Sequence, residues 1–282
     1  MLKTVDSISR MQTFVKILKK EGRTIGLVPT MGALHEGHLS LMRAAKTHTD
    51  VVVVSIFVNP LQFGPSEDFG KYPRDFARDE EMASRVGVDV IFCPKAEEMY
   101  PAGYSTYVNV EGLTEGLCGA SRPGHFKGVT TVVTKLFSIV KPDIAYFGQK
   151  DAQQAFVIRR MVENLNMGID IKVLPTIREK DGLAISSRNV FLSKEERREA
   201  TALYVSLKKA ESAVRGGERE PRAVIAAIEE VIRECPSAEI DYISIVDTQS
   251  LKDVTVIAGE VLIALAVTIG HTRLIDNTIM KV

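Results

Sequence analysis

Blocks of apolar residues alternate with segments of helical pattern through the first two-thirds of the chain. Five short apolar runs have the length and the nearly unbroken hydrophobicity of strands that are buried on both faces. The segments between them carry apolar residues at helical spacing. This alternation predicts an α/β fold with a Rossmann-like parallel sheet and helices on both faces. The predicted strands are residues 24–28, 51–57, 88–92, 143–147 and 170–174, and the predicted helices are residues 37–47, 75–85, 129–140 and 152–165.

The pattern changes after about residue 175. A polar segment leads into a long charged helix that starts near Ser193, and a second helix opens at Pro221, where proline suits the first turn. Two strand patterns follow, at residues 239–246 and 261–267, whereas the first 20 residues read as a helix. We therefore expect two domains: a Rossmann-like domain of residues 1–175 and a smaller C-terminal α+β domain of residues 176–282.

The charge balance and the cysteine content narrow the class of protein. Lys and Arg together number 36, as do Asp and Glu, so no basic excess points to nucleic acid or to an anionic membrane. The three cysteines are scattered, which fits neither a zinc framework nor a disulfide scaffold and suits a reducing compartment. No stretch reaches the roughly 18 apolar residues of a membrane span. We expect a cytoplasmic protein with no nucleic-acid or membrane partner.

The most informative segment is the turn at residues 29–38, which joins the first predicted strand to a helix. His35 and His38 stand three residues apart, with Gly37 directly before the second. The free backbone N–H groups of a helix N-terminus favour anions, and imidazoles one turn apart can reach the same oxygens. A pair of surface metal ligands is the alternative, but a metal would need a third ligand. The position at a strand-to-helix turn favours a phosphate-bearing ligand.

A second polar cluster follows the predicted strand at residues 51–57. Asn59 and Gln62 are neutral amides, and Gln62 lies between two apolar residues. A neutral amide in an apolar pocket can bind a small hydroxy acid without burying a charge. The alternative is that these amides only bond the backbone of a turn.

A third cluster also follows a predicted strand and enters a helix. Gly148 permits close approach to the backbone, and Lys150 brings a cation to the end of the sheet. We expect Asp151 as a helix cap rather than as a catalytic base, and Gln154 on the same helix face as Lys150. Ligands of such sheets bind beyond the carboxyl ends of the strands, so these three clusters should meet at one site.

A fourth cluster lies in the polar segment between the predicted domains. Ser186 and Ser187 offer hydroxyl donors, and Arg188 offers a planar fork that suits phosphate oxygens. An ordinary turn before the next helix is the alternative. None of the four clusters holds an obvious nucleophile. The site is therefore expected to orient substrates and to neutralise phosphate charge.

These motifs resemble those of a known family. The segment PTMGALHEGH resembles the signature of the nucleotidyltransferase superfamily that includes the class I aminoacyl-tRNA synthetases. With VNPLQF, FGQKDAQQ, RPGHFKGV and SSRNVFLS in the same order, nearly the whole chain resembles the pantothenate synthetases, the pantoate–β-alanine ligases of vitamin B5 biosynthesis. The wider synthetase superfamily often has a Lys-Met-Ser-Lys-Ser loop, whereas this chain has Ser186, Ser187 and Arg188, in agreement with the pantothenate branch. Ile185 stands where methionine or leucine is often found before this motif.

The resemblance implies an ATP-dependent reaction in two steps that uses Mg²⁺. ATP would react with the carboxylate of pantoate to give pantoyl adenylate and pyrophosphate. The amine of β-alanine would then attack the adenylate and release AMP and pantothenate. The family also implies a homodimer, and a C-terminal domain that closes as a lid over ATP and excludes water. A nucleotidyltransferase that moves AMP or CMP onto a phosphate is the alternative enzyme, and a nucleotide sensor without catalysis is the alternative of another class.

The same resemblance implies roles for individual residues. His38, His35, Lys150 and Arg188 would be catalytic, with His38 either as a proton donor or as the chief stabiliser of transition-state charge. Gln62 and Gln154 would bind pantoate, and Gln62 would also bind β-alanine. Direct protein ligands of Mg²⁺ are not indicated. The residues implied for ATP are Met31, Gly32, Ala33, Leu34, His35, Glu36, Gly37, His38, Gly148, Gln149, Lys150, Asp151, Ile177, Ile185, Ser186, Ser187 and Arg188.

Overall fold

The computed structural model of the chain describes residues 2–65 and 67–282. The chain divides into two compact units, and the second unit takes in two short segments from the earlier part of the chain. The division into domains of residues 1–175 and 176–282 stays a prediction. Unit 1 consists of Met1–Val110, Arg122–Gly148 and Val157–Pro175, and unit 2 consists of Glu111–Ser121, Gln149–Phe156 and Thr176–Val282.

Unit 1 is built on a six-stranded sheet in which every described strand pair is parallel. Its centre is almost wholly apolar, with Val28, Val52, Val54 and Ile91 fully buried, as expected for a sheet covered on both faces. The predicted Rossmann-like sheet is confirmed. In the order β1-β4-β3-β2-β5-β6, the strands are β1 Lys3–Val5, β4 Val90–Phe92, β3 Val51–Ile56, β2 Ile25–Thr30, β5 Ile144–Gly148 and β6 Asp170–Leu174.

Two of the helices in this part of the chain begin at polar residues whose side chains cap them. Ser7 accepts a hydrogen bond from the backbone of α1 (Ile8–Lys20), and Asp75 does the same for α3 (Phe76–Arg85), since such caps satisfy donors that the helix leaves free. The predicted N-terminal helix is wrong for Lys3–Val5, which form β1. The other helices up to residue 164 are α2 Glu36–His48, α4 Ala96–Met99, α5 Cys118–Ser121, α6 His125–Val140 and α7 Ala152–Asn164.

Unit 2 contains a three-stranded antiparallel sheet, β7 (Ala238–Asp247), β8 (Glu260–Ile269) and β9 (Thr272–Lys281), in that order. Its apolar core includes Leu207 and Ile263. The predicted α+β organisation is confirmed, but two predictions were wrong in detail. The sheet has a third strand, β9, and the charged helix after Ser193 is divided in two. The helices are α8 Lys194–Glu199, α9 Ala202–Arg215 and α10 Pro221–Arg233.

Two further findings concern the whole described chain. No helix among its described residues is both long enough and apolar enough to cross a membrane. Cys93, Cys118 and Cys235 are free thiols.

Candidate functional site

Three strand ends that the sequence singled out lie side by side in unit 1. Strand β2 pairs with β3 on one side and with β5 on the other. All are parallel, so their carboxyl ends at Thr30, Ile56 and Gly148 lie at the same edge of the sheet. A Cβ built on Gly148 would meet no atom within 4 Å in the described chain, which leaves its backbone open to a ligand. That the clusters following these strands form one site stays a prediction.

The turn after β2 brings the two predicted histidines together. Gly32 and Ala33 adopt positive φ angles of 82° and 49°, which reverse the chain before α2. His35 is the N-cap residue of α2. The ring centroids of His35 and His38 are only 4.1 Å apart, with the ring planes inclined by 32°. Both imidazoles therefore stand at the N-terminal end of α2, where backbone donors and the helix dipole favour an anion.

A buried carboxylate that the sequence analysis missed holds this turn. Asp79 of α3 is 1% exposed, and it accepts hydrogen bonds from the backbone of Ala33 at 2.9 Å and of Leu34 at 2.7 Å. Burial raises the pKa of Asp79 even though these two amides act to lower it. A Cβ at Gly32 would come within 2.9 Å of the Asp79 carboxylate. The sequence does carry a signal for this buried carboxylate, because Asp79 lies one helical turn before Ala83, on the buried side of α3.

The neutral amides after β3 form part of a tight 3-10 turn, Pro60–Gln62. Asn59 is 1% exposed; it accepts from the backbone of Leu61 at 3.3 Å and donates to the carbonyl of Gly128 at 3.1 Å. Asn59 thus does bond the backbone of the turn, at Leu61, but not only that, because Gly128 belongs to α6. Its Nδ2 also donates to Oε1 of the half-buried Gln62 at 3.0 Å. The role of Gln62 in binding pantoate stays a prediction.

The start of α6 fixes the backbone of Gln62. His125 Nδ1 lies 2.9 Å from the Gln62 carbonyl, and Arg122 Nη1 lies 3.1 Å from His125 Nε2. A guanidinium can only donate, so Nε2 accepts and Nδ1–H donates to Gln62. Close packing here requires glycine in α6, because a Cβ at Gly128 would lie 2.4 Å from the carbonyl oxygen of Leu61.

Arg122 also forms an ion pair with Glu67, at 2.6 Å. Burial acts to raise the pKa of Glu67, but the hydrogen bond and the charge of Arg122 outweigh it and hold the pKa below its usual value. The pair therefore keeps Arg122 at the Gln62 turn under neutral conditions.

In unit 2, the predicted lysine lies in a 3-10 turn, Gln149–Asp151, that precedes α7. Asn277 of β9 donates to the carbonyl oxygens of Gln149 and Lys150, each at 2.9 Å. Lys150 Nζ lies 3.8 Å from Asp151 Oδ1. The prediction that Lys150 and Gln154 belong to one helix was wrong, because Lys150 lies in the 3-10 turn and α7 begins at Ala152. The capping role of Asp151 stays a prediction.

Two other predicted ATP contacts in unit 2 lie next to each other. The backbone N–H of Ile185 donates to the carbonyl of Ile177 at 3.0 Å, and an antiparallel bridge joins Arg178 to Ala184. Arg178 forms a two-point ion pair with the buried Asp276 of β9, at 2.5 and 3.0 Å. This loop therefore presents the backbone of two apolar residues side by side.

The serine–arginine cluster begins another 3-10 turn, Ser187–Phe191. The Oγ of Ser186 accepts from the backbone of Arg188 at 3.3 Å, so the side chain of Ser186 does serve a turn, as the alternative held. Ser187 and Arg188 are half-buried. Their roles toward phosphate stay predictions.

A metal pair at His35 and His38 would need a further protein ligand. Within residues 2–65 and 67–282, no group of three His, Cys, Asp or Glu side chains is placed to hold a metal ion. The phosphate interpretation of the start of α2 stays a prediction.

Known proteins resemble this chain over its full length. The model of the family described as Pantoate-beta-alanine ligase matches residues 3–279. A protein of Moorella thermoacetica named pantothenate synthetase is 58% identical over 281 residues, which are 100% of this chain and 99% of that protein. The crystal structure of pantothenate synthetase from Thermus thermophilus has a TM-score of 0.93 at 44% identity and covers 98% of both chains. A pantoate-beta-alanine ligase from Francisella tularensis, complexed with beta-gamma ATP and beta-alanine, has a TM-score of 0.82 at 35% identity and covers 99% of this chain and 97% of its own.

Proposed function

The chain belongs to the pantoate–β-alanine ligase family, and on that premise we propose which of its residues carry the reaction. The enzyme is an ATP-dependent carbon–nitrogen ligase. It condenses (R)-pantoate with β-alanine to pantothenate, AMP and pyrophosphate through a pantoyl-adenylate intermediate, a step of pantothenate and coenzyme A biosynthesis.

The observation that carries the proposal is the pair of imidazoles, 4.1 Å apart, at the N-terminus of α2. In the first step, a carboxylate oxygen of pantoate attacks the α-phosphorus of ATP, and the bond to the pyrophosphate oxygen breaks. Negative charge grows on the phosphate oxygens as this happens. N–H donors that are already in place stabilise such charge without reorganising. His35 and His38 are these donors, and His38 donates either a hydrogen bond or a proton to the departing phosphate oxygens.

The protein needs no nucleophile, because pantoate supplies the attacking oxygen and β-alanine supplies the amine of the second step. Its task is to hold the reacting groups in line, which can lower a barrier by about 7–11 kcal/mol. Gln62 and Gln154 are proposed to hold pantoate, and Gln62 also contacts β-alanine. Amides suit this task, because they can bind hydroxyl and carboxylate oxygens without adding charge.

We propose that cations and backbone groups bind ATP. Lys150 and Arg188 neutralise phosphate charge together with the hydroxyls of Ser186 and Ser187. The paired backbone of Ile177 and Ile185 contacts adenine. The remaining proposed ATP contacts are Met31, Gly32, Ala33, Leu34, Glu36, Gly37, Gly148, Gln149 and Asp151.

Mg²⁺ is proposed to enter with ATP. Mg²⁺ commonly keeps several waters and binds substrate phosphates rather than an all-protein cage. The described residues fit this mode of binding, since no three acidic, histidine or cysteine side chains among them converge. Bound in this way, Mg²⁺ would neutralise phosphate charge of ATP. By the same family relationship, we propose a homodimer in the cytoplasm and a C-terminal domain that closes over ATP. Light scattering after gel filtration would measure the molar mass of the protein in solution and so test the homodimer.

One assay tests the function. The protein is incubated with ATP, Mg²⁺ and pantoate, and pyrophosphate is measured, after which β-alanine is added and AMP is measured. We expect pyrophosphate that depends on pantoate and AMP release that depends on β-alanine. Absence of pyrophosphate with pantoate would contradict the ligase. Pyrophosphate formed only with a phosphorylated acceptor would identify a nucleotidyltransferase instead.

A further inference from the structure

A tyrosine that no motif includes contacts the amide cluster of unit 1. Tyr100 follows α4, and its hydroxyl lies 2.7 Å from Oδ1 of Asn59. The ring packs against Phe57 and Tyr104, with centroid distances of 6.1 and 5.1 Å. Burial raises the pKa of Tyr100 above its ordinary value, so the hydroxyl keeps its proton at neutral pH.

The backbone partners of Asn59 fix the orientation of its amide. The N–H of Leu61 can only donate and the carbonyl of Gly128 can only accept. Their contacts at 3.3 and 3.1 Å therefore identify Oδ1 and Nδ2 of Asn59, and the amide cannot be flipped. With the amide in this orientation, Tyr100 must donate to Oδ1.

The same orientation determines what Gln62 presents to a ligand. Nδ2 of Asn59 donates to Oε1 of Gln62 at 3.0 Å, so this oxygen is engaged as an acceptor inside the protein. The other end of the Gln62 amide, Nε2, carries two N–H donors. A ligand that meets Nε2 must therefore offer oxygen acceptors.

We propose that Tyr100 is a positioning residue for pantoate. Through Asn59, its hydroxyl orients the Gln62 amide so that Nε2–H donates to a hydroxyl or carboxylate oxygen of the substrate. This inference rests on the proposed role of Gln62 in binding pantoate. It gives a role to the hydrogen bond between Tyr100 and the buried Asn59, which are 41 residues apart in the chain, because Asn59 in turn binds Gln62. Without the tyrosine, Oδ1 of Asn59 keeps only its 3.3 Å contact with the backbone N–H of Leu61. The Asn59 amide, and with it the Gln62 oxygen that it holds, is then placed less firmly.

The test uses single-atom changes with a matched control. Tyr100→Phe removes only the hydroxyl, and Tyr104→Phe makes the same change in the neighbouring ring. Pyrophosphate release gives KM for pantoate and for ATP. We expect Tyr100→Phe to raise KM for pantoate about tenfold, the size of one ordinary hydrogen bond, and to leave KM for ATP unchanged. Tyr104→Phe should behave as wild type.

A double-mutant cycle separates positioning from general damage. If Tyr100 acts through Gln62, then Tyr100→Phe should add nothing to the raised pantoate KM of Gln62→Ala. The proposal is overturned if Tyr100→Phe has the wild-type pantoate KM, if both substrates are affected equally, or if the two changes multiply. A wild-type pantoate KM in Gln62→Ala would also overturn it, together with the pantoate role of Gln62. The ligase activity itself is decided separately, by pyrophosphate release from the wild-type enzyme.

Discussion

The imidazole of His35 lies directly against the α-carbon of Gly37. A methyl group placed there would lie 2.9 Å from Cε1 and 3.0 Å from Nδ1 of the ring, closer than carbon and nitrogen atoms pack. Gly37 lies within α2 and does not have a positive φ angle. Glycine is therefore required in this His-x-Gly-His motif because the ring of His35 occupies the space of a side chain.

Gly37→Ala should lower activity without lowering stability. Alanine is the better helix former by about 0.5–1 kcal/mol, so the fold is kept, whereas the His35 ring must move. A displacement of about 1 Å at a reacting centre can cost about 100-fold, and we expect a decrease of kcat of that order. The measurements are kcat from pyrophosphate release and, in parallel, the midpoint temperature of thermal unfolding. Gly70→Ala is the control, because a Cβ at Gly70 would meet no described atom within 4 Å. An unchanged kcat in Gly37→Ala would show that the His35 ring does not need the space above Gly37.

His38→Ala should reduce turnover by about 10²–10⁴-fold, the range for loss of a group that transfers a proton or stabilises charge. The side chain is only half-buried, so the fold should remain. Single-turnover formation of the adenylate is the direct measurement. His48→Ala, at the exposed end of the same helix, provides the comparison. Wild-type rates for His38→Ala would remove this residue from the mechanism.

Asp79→Asn should destabilise the turn that carries the histidines. The backbone amides of Ala33 and Leu34 both donate to the carboxylate, and an asparagine must point its NH₂ group toward one of them. A buried unmatched donor costs about 1–3 kcal/mol, which we expect in the free energy of unfolding by urea, with a lower kcat. Asp75→Asn is the matched change on α3, because asparagine caps helices as well as aspartate. Equal effects of the two changes would contradict the proposed role of Asp79.

Asn277→Ala should weaken ATP binding rather than pantoate binding. It removes the donors to the carbonyls of Gln149 and Lys150, and thus frees the turn that holds the lysine. We expect KM for ATP to rise about tenfold. Thr278→Ala removes a neighbouring hydrogen bond of β9 to Glu211 and should leave KM for ATP unchanged. Equal KM values for ATP in the two variants would show that the hydrogen bonds from Asn277 to the lysine turn are not needed for ATP binding.

The ion pair of Glu67 and Arg122 should make stability depend on acid pH. The pKa of Glu67 is lowered in the folded chain from 4.5, so the unfolded chain binds more protons in that range. The stabilisation is complete above the unfolded value and is lost as the pH falls through the lowered pKa. The gap in unfolding free energy between wild type and Glu67→Gln should therefore shrink as the pH falls from above 4.5 through the lowered pKa of Glu67. If the unfolding free energies of wild type and Glu67→Gln changed in parallel with pH, the ion pair of Glu67 and Arg122 would not be the source of the pH dependence.

The parallel sheet was predictable because strands buried on both faces tolerate almost no polar residue. The prediction for residues 170–174 matches β6, and the other four predicted strands agree with β2 to β5 within two residues at either end. The two strands that were missed have physical reasons. β1 has three residues and lies at the sheet edge. β9 carries Asp276 and Asn277, which are 2% and 4% exposed and interrupt the apolar pattern.

The predicted residues of the first three clusters follow the ends of strands, which a local pattern can indicate. The buried position of a support such as Asp79 can be read from helical spacing, but the partners of these supports could not be predicted, because they come from distant segments. Asp79 is 45 residues from Leu34, and Tyr100 is 41 residues from Asn59. A hydrogen bond across such a separation leaves no trace in the local periodicity that identifies helices and strands.

The anchoring of the Lys150 turn by β9 also has a consequence for synthesis. A ribosome makes Lys150 127 residues before Asn277, and at about 5–20 residues per second the interval is on the order of ten seconds. Throughout that time, the lysine turn lacks the strand that holds its carbonyls. We therefore expect a nascent chain to bind ATP weakly until β9 has been translated and has joined its sheet.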